Sequence, residues 1–205
     1  MSKSSLRAER SLSRNCGTMV SKIIVGFALF ENCNFMDLKQ KIREIPDWPE
    51  KGVNFKDITP LLQDREAFKL AIDKMIEPFS ENKPDIIVGI DARGFILSAA
   101  MAYKLGTGLT LIRKKGKLPP TTISQEYTLE YATNTIEMKD DAIQKGQKVL
   151  IVDDVLATGG TMEATCKIVE KLGGEIIGIS FLIELDFLKG REKLKNYKVE
   201  SLIHY

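Results

Sequence analysis

The chain has 205 residues, 43% of them hydrophobic and 28% charged, an ordinary globular composition that excludes disorder, collagen-like repeats and coiled coil. Thirty basic residues against 28 acidic ones leave a net charge of +2, so no bulk field calls for a nucleic acid. No apolar run approaches the ~18 residues of a membrane span. The 3 cysteines are too few for a disulfide framework and suit a reducing, cytoplasmic setting, and a Ser-His-Asp or multi-histidine site would have to rest on the single histidine, His204.

Residues 1–35 carry Lys3, Arg7, Arg10, Arg14 and Lys22 against only Glu9 and Glu31, together with Cys16, Cys33 and an apolar run at 23–30. The basic excess of the chain therefore belongs to this segment. It reads as an upstream translation start with Met36 as the true one, as a targeting segment, or as a disordered or docking tail; no small-x-small cleavage site follows the apolar run. A single domain is expected over 36–205. Leu38, Ile42 and Ile45 have the spacing of one helix face, stopped by Pro46. Residues 46–60 read as loop, and 61–79 as a helix with Leu62, Phe68, Leu70, Ile72, Met75 and Ile76 available for burial. The apolar run at 86–90 predicts a buried strand. A helix over 95–105 should end at Gly106 in the left-handed C′ position, and a second strand is expected over 109–112.

A basic loop, 113–117, then precedes Pro119 and Pro120, and partial alternation over 121–138 predicts a β-hairpin arm. Residues 149–152 are fully apolar and predict another buried strand. After a loop at 153–161, a helix over 162–172 leads to Gly173 and Gly174, and 176–183 is the last clear strand. Strand and helix alternating in this way predict an α/β fold, a mainly parallel sheet with helices on both faces. Ligands in such sheets bind at the carboxyl ends of the strands. The residues that follow Ile90, Ile112 and Val152 are therefore the place to look.

After Val152 come Asp153 and Asp154, then Val155 and Leu156, then Ala157, Thr158, Gly159, Gly160 and Thr161. The last five form a small turn entering a helix, whose backbone N–H groups and dipole favour one anion. The glycines leave the backbone open to approach. No lysine follows them, so this is not a Walker A loop. A plain helix N-cap would explain Thr161 and one glycine. It would not explain two acids at the end of an apolar strand, which would repel a phosphate unless they face hydroxyls or a hydrated cation. A ribose phosphate presents both a phosphate and a diol.

This run resembles the phosphoribosyl-pyrophosphate motif of the type I phosphoribosyltransferases. Other segments narrow the resemblance to the adenine phosphoribosyltransferase family, over essentially all of 37–205. They are the run from Ile45 to Pro60, the Asp91-Ala92-Arg93-Gly94-Phe95 loop, the basic loop through Lys117 and Pro119, and Tyr127 to Tyr131. The resemblance implies a type I phosphoribosyltransferase fold, a central mainly parallel twisted sheet with a small N-terminal base-binding hood and a β-hairpin catalytic arm. It implies purine salvage: adenine and phosphoribosyl pyrophosphate give AMP and pyrophosphate with Mg²⁺ held mainly by the substrate. It also implies a homodimer and a cis peptide before Ala92.

The transition state puts positive charge on the ribose and negative charge on the leaving pyrophosphate, so cations that grip pyrophosphate act differentially. Asp91, Ala92, Arg93, Lys114 and Lys117 take this role by resemblance, although residues 113–117 alone would read as a solvated basic turn. Asp153, Asp154 and residues 157–161 would hold ribose and phosphate. Glu130 would polarise the base or take its proton, with Tyr131 closing the arm; from the residues alone, Glu130 reads equally well as an exposed strand glutamate. Val53, Asn54, Phe55 and Lys56 would meet adenine on one side, Val155 and Leu156 on the other. Many family members have Arg where this chain has Lys56, which keeps the charge without the planar fork. Two alternatives are another purine specificity and a regulator that senses phosphoribosyl pyrophosphate without transfer. Cys166 reads as a small core residue.

Overall fold

The computed structural model describes residues 36–129 and 132–205. The segment 1–35 lies outside them. The chain forms two compact units, Met1–Pro60 and Leu61–Tyr205. Among the described residues no helix is long and apolar enough to cross a membrane.

In the first unit the helix expected after Asp37 is replaced by a 3-10 turn, Leu38–Lys41, and a strand, β1 (Arg43–Ile45). Asp37 caps only this turn, its carboxylate accepting from the Lys39 N–H at 3.0 Å. Ile45 precedes Pro46, which disfavours helical backbone at that residue. The stretch expected as loop supplies a second strand, β2 (Phe55–Asp57), antiparallel to β1 with Glu44 opposite Lys56 and Ile45 opposite Phe55. Periodicity pointed to a helix because the pairing partner lies beyond the reach of any local pattern.

The helix expected over 61–79 is divided. A short helix, α1 (Thr59–Gln63), ends before Asp64, whose carboxylate caps α2 (Arg65–Ile76) by accepting from Glu66 and Ala67. A 3-10 turn, Glu77–Phe79, follows around Pro78. Strands β3 (Ile86–Ile90) and β4 (Gly108–Lys114) flank α3 (Gly94–Leu105), which ends at Gly106 with φ +69° as expected. The hairpin arm is β5 (Thr122–Leu129) and β6 (Ala132–Lys139). Then come β7 (Lys148–Leu156), α4 (Gly160–Lys171), β8 (Glu175–Glu184) and β9 (Val199–His204). The sheet order is β5-β6-β4-β3-β7-β8-β9. The five strands from β4 to β9 run parallel, β6 is antiparallel to β4, and β5 is antiparallel to β6.

Alternation along the strands places a helical layer on each face. Val88, Ile90, Val149, Ile151, Ile179 and Phe181 form one core with Met162, Cys166 and Val169 of α4. The intervening residues face the other way: Gly89 lies against Ser98 of α3, and the Ser180 hydroxyl donates to the Met75 carbonyl of α2 at 3.3 Å. Cys166 is buried among apolar side chains, and burial pushes its thiol up to about 12, which suits packing and not nucleophilic chemistry.

Two strands depart from expectation. β9 was missed because only Val199 and Ile203 of its six residues are buried, too few for a clear alternation. β7 continues through Asp153, Asp154, Val155 and Leu156, placed by the sequence reading in a loop, because the long β8 gives it ladder partners as far as Leu156 opposite Glu184.

Gly178 faces the buried ring of Phe79, and an added Cβ there would strike the ring edge. Gly178→Ala is expected to destabilise the fold by about 1–3 kcal/mol through overpacking, read as a lower urea midpoint at unchanged slope.

Candidate active site

β7 outruns its neighbour. β3 pairs with it only as far as Gly89 opposite Val152, while β8 continues on its other side. Beyond Val152 one edge of β7 is thus left open, and Asp153 and Asp154 stand there. Across the gap, β3 ends at Ile90 opposite Ile112, and β4 runs on two residues to Lys114. Together they floor a cavity of about 320 Å³ lined by Asp91, Ala92 and Arg93 after β3, Arg113 and Lys114 of β4, Tyr127 and Ile136 of the arm, and Asp153, Asp154 and Thr161. A smaller one, about 80 Å³, shares Asp153 and Thr161 and runs along Val155 and residues 157–160.

Each charge in the larger cavity has a fixed setting. Arg93 Nη2 lies 2.6 Å from Asp154 Oδ2. That buried oxygen nonetheless accepts no hydrogen bond, so the contact is an ion pair without an aligned N–H. Asp153 Oδ1 accepts from the Asp154 backbone N–H at 2.8 Å. Burial pushes the Asp153 carboxyl well up, and the neighbouring Asp154 charge pushes it further. Burial also raises Asp154, with the Arg93 guanidinium offsetting part of the effect. Two adjacent carboxylates with too few donors form a site suited to hydroxyls or a hydrated cation.

Arg113 donates from Nε to Asp91 Oδ2 at 3.1 Å and from Nη1 to the Lys117 carbonyl at 3.2 Å, with its guanidinium 6.0 Å from the centre of the Phe95 ring. The Asp91–Ala92 peptide is cis, as the resemblance implied. The basic loop is held from behind by Glu137 of β6, a buried carboxylate absent from the sequence reading. Its Oε1 accepts from the backbone N–H groups of Gly116, Lys117 and Leu118 at 2.9, 3.2 and 3.0 Å, and its Oε2 from the Thr122 hydroxyl at 3.3 Å. Lys114 reaches the cavity; Lys117 sits further along the loop, its backbone committed to Glu137 and Arg113.

The turn at 157–161 leads into α4 as expected, with Gly159 in left-handed backbone at φ +76°. Leu156 is fully buried in the core, whereas Val155 is half-buried along the smaller cavity. Of the residues expected to meet a base, Val53, Asn54, Phe55 and Lys56 belong to the first unit. There the Lys56 ammonium and the Asn54 amide both donate to Glu44 Oε2, at 2.7 and 2.6 Å, and hold its carboxyl below the usual range. The Phe55 ring meets Trp48 edge-on at 4.5 Å. Glu130 and Tyr131 lie outside the described residues. Tyr127 was expected in the arm but without a role at the site, and Glu137 was missed; the hairpin pattern alone could have drawn attention to Glu137 as an acid at an apolar-flanked position between Ile136 and Met138.

A parallel sheet with a phosphate-sized turn, two buried acids and a cluster of cations at the strand ends defines a phosphoribosyltransferase site. Residues 61–203 match the phosphoribosyl transferase domain family. An adenine phosphoribosyltransferase from Acetivibrio thermocellus is 60% identical over 173 residues, covering 83% of this chain and 100% of that one. The crystal structure of adenine phosphoribosyltransferase from Rhodothermus marinus is 51% identical with a TM-score of 0.80, over 82% of this chain and 96% of its own. The Saccharomyces cerevisiae enzyme, solved with an imino-altritol bisphosphate and adenine, is 39% identical with a TM-score of 0.76, over 80% and 96%. The chain belongs to the adenine phosphoribosyltransferase family.

The buried acids make a pH-dependent prediction. The folded-state value of Asp153 lies above its unfolded value, so the folded chain binds the proton more tightly, and stability falls as pH rises through that window. Asp153→Asn is therefore expected to raise the melting temperature at pH 7. The gain should shrink as pH falls toward the unfolded carboxylate value, where the native Asp153 is already neutral. Melting curves of both proteins across pH 4–8 check this, and a gain independent of pH would contradict it.

Proposed function

We propose that the protein transfers the 5-phosphoribosyl group of phosphoribosyl pyrophosphate to N9 of adenine, giving AMP and pyrophosphate. The observation that carries this reading is the cavity at the ends of β3, β4 and β7, where phosphate turn, paired acids and cations meet. The C1′–O bond to pyrophosphate breaks, the leaving group keeps the electron pair, and the C1′–N9 bond forms. Arg93 and Lys114 act on the growing negative charge of the leaving group, with the basic loop presented by Glu137. The loop at Asp91 and Ala92 gives the pyrophosphate its backbone surface, and Lys117 adds long-range charge. Residues 157–161 cradle the 5′-phosphate.

Asp153 and Asp154 accept the ribose hydroxyls. Their shortage of donors, with Asp154 Oδ2 buried and without a hydrogen bond, also fits magnesium held mainly by substrate oxygens near these carboxylates. Bound there, the ion supplies positive charge to the pyrophosphate. Glu130 takes the N9 proton or polarises N7 from the arm, and Tyr131 closes over it. Val155 and Leu156, which line the smaller cavity, contact the base. The protein works as a cytoplasmic homodimer.

The test is nucleotide formation from phosphoribosyl pyrophosphate and Mg²⁺ with adenine, hypoxanthine or guanine. AMP from adenine alone is expected. Product from another base would overturn the specificity, and tight phosphoribosyl-pyrophosphate binding with no product would point to a sensor. Glu130→Gln is expected to slow transfer by roughly 10²–10⁴-fold while substrate binding persists; transfer near the wild-type rate would remove the role given to Glu130. Asp154→Asn is expected to lower transfer by about tenfold or more through the lost charge-assisted contacts.

A further inference from the structure

The segment after β8 lies against the phosphate turn. Lys189 takes left-handed backbone at φ +52° and leads into a 3-10 stretch, Gly190–Leu194. A Cβ on Gly159 would come within 2.5 Å of the Gly190 carbonyl oxygen, and a Cβ on Gly190 would strike the Ala157 carbonyl. The two backbones therefore touch through glycines on both sides. Neither surface admits a side chain without moving the other.

The stretch is anchored firmly enough to hold this contact. Arg191 donates from Nε to Glu184 Oε1 at 3.0 Å, from Nη2 to Glu184 Oε2 at 2.5 Å and to the Ser201 hydroxyl at 3.3 Å, and from Nη1 to the Val199 carbonyl at 2.8 Å. This is a bidentate pair to a buried carboxylate at the end of β8. Glu184 is in turn opposite Leu156, the residue that enters the phosphate turn. Leu194 closes the stretch and is fully buried in the core.

What the stretch presents to the turn is Lys193. Its ammonium lies 3.9 Å from where a Gly160 Cβ would be, on the first residue of α4, and the Tyr127 ring approaches the same point at 3.3 Å. Lys193 is exposed, and its ammonium has neither a hydrogen-bond nor an ion-pair partner among the described residues. Arg93 and Arg113, by contrast, are already engaged with Asp154 and Asp91. A dianionic phosphate at the head of α4 meets only partial charges from the helix, with Asp153 and Asp154 close enough to repel it. A whole positive charge on the open side of the turn would offset both.

We propose that Gly190–Leu194 is the second wall of the 5′-phosphate subsite and that Lys193 is a direct ligand of that phosphate, an assignment that rests on the phosphoribosyl reading above. Lys193→Met keeps the stem and removes the charge at an exposed position, so the fold is not at risk. AMP binding, measured by calorimetry, is expected to weaken roughly fivefold to tenfold, the loss of one charge-assisted contact at a partly solvated site. The gap to wild type should narrow in high salt. The KM for adenine and the melting temperature should not move, and Lys193→Arg should restore most of the affinity.

AMP binding equal to wild type in Lys193→Met would overturn the assignment. So would an equal loss in the adenine KM, which would mark a general disturbance. If wild-type protein binds neither AMP nor ribose 5-phosphate, the phosphoribosyl reading itself falls and this inference with it. If wild type binds both and Lys193→Met is unaffected, only the inference falls.

Discussion

β7 extends beyond β3, and the rest of the site depends on that offset. A central parallel strand is normally paired on both edges. Here β8 carries β7 on to Leu156, while β3 turns away after Ile90 into the loop that bears Arg93. The result is a strand segment that is rigid, since one ladder is intact, yet open on its other edge. Asp153 and Asp154 sit on that segment. Their carboxyls are thus positioned by backbone hydrogen bonds of the sheet and not by a loop, which is the more exact way to hold a group against a substrate. The far side of the cavity is lined by the end of β3 and by Arg113 and Lys114 of the longer β4.

Holding two acids in such a place works against the stability of the free protein. Burial disfavours both charges, each disfavours the other, and Arg93 relieves only part of the strain. A residue chosen for stability alone would be neutral. A ligand that brings hydroxyls or a cation to the two carboxylates supplies what the fold withholds, so part of the binding free energy appears as relief of this unfavourable pair. At Asp153 the burial that would favour such a ligand lowers the stability of the free protein.

What the sequence made legible was what could be written in a contiguous run. The apolar strand, the two acids and the glycine turn lie within a dozen or so residues, and each has a local physical reason, so the phosphate turn and its helix were found where expected. The hairpin and the Gly106 cap were legible for the same reason. The misses are all cases where distant segments decide. β1 looked helical because its strand partner lies around Phe55. β9 is an edge strand with little of its surface buried, hence little pattern. Asp153 and Asp154 read as loop because the run of apolar residues stops at Val152, whereas the ladder with β8 does not. Local pattern marks Glu137 only as an acid between apolar neighbours, since its role is set by three backbone N–H groups of the loop after β4, and it does not mark Gly190 at all, which is defined by contact with a turn some thirty residues earlier.

Those distant contacts share a purpose. The phosphate turn is braced by Gly190, the basic loop by Glu137, and Arg113 by Asp91 and the Phe95 ring. In each case a contact from a distant part of the chain fixes the group's position before any ligand arrives. Donors and cations aimed before the substrate arrives need no reorganisation as charge develops in the transition state, and their ordering entropy has been spent in folding. Arg113 illustrates the distinction. It lines the cavity, yet its donors are directed at Asp91 and at the Lys117 carbonyl, so it fixes the relation between the β3 loop and the basic loop. Arg93, paired with Asp154, and Lys114 line the same cavity.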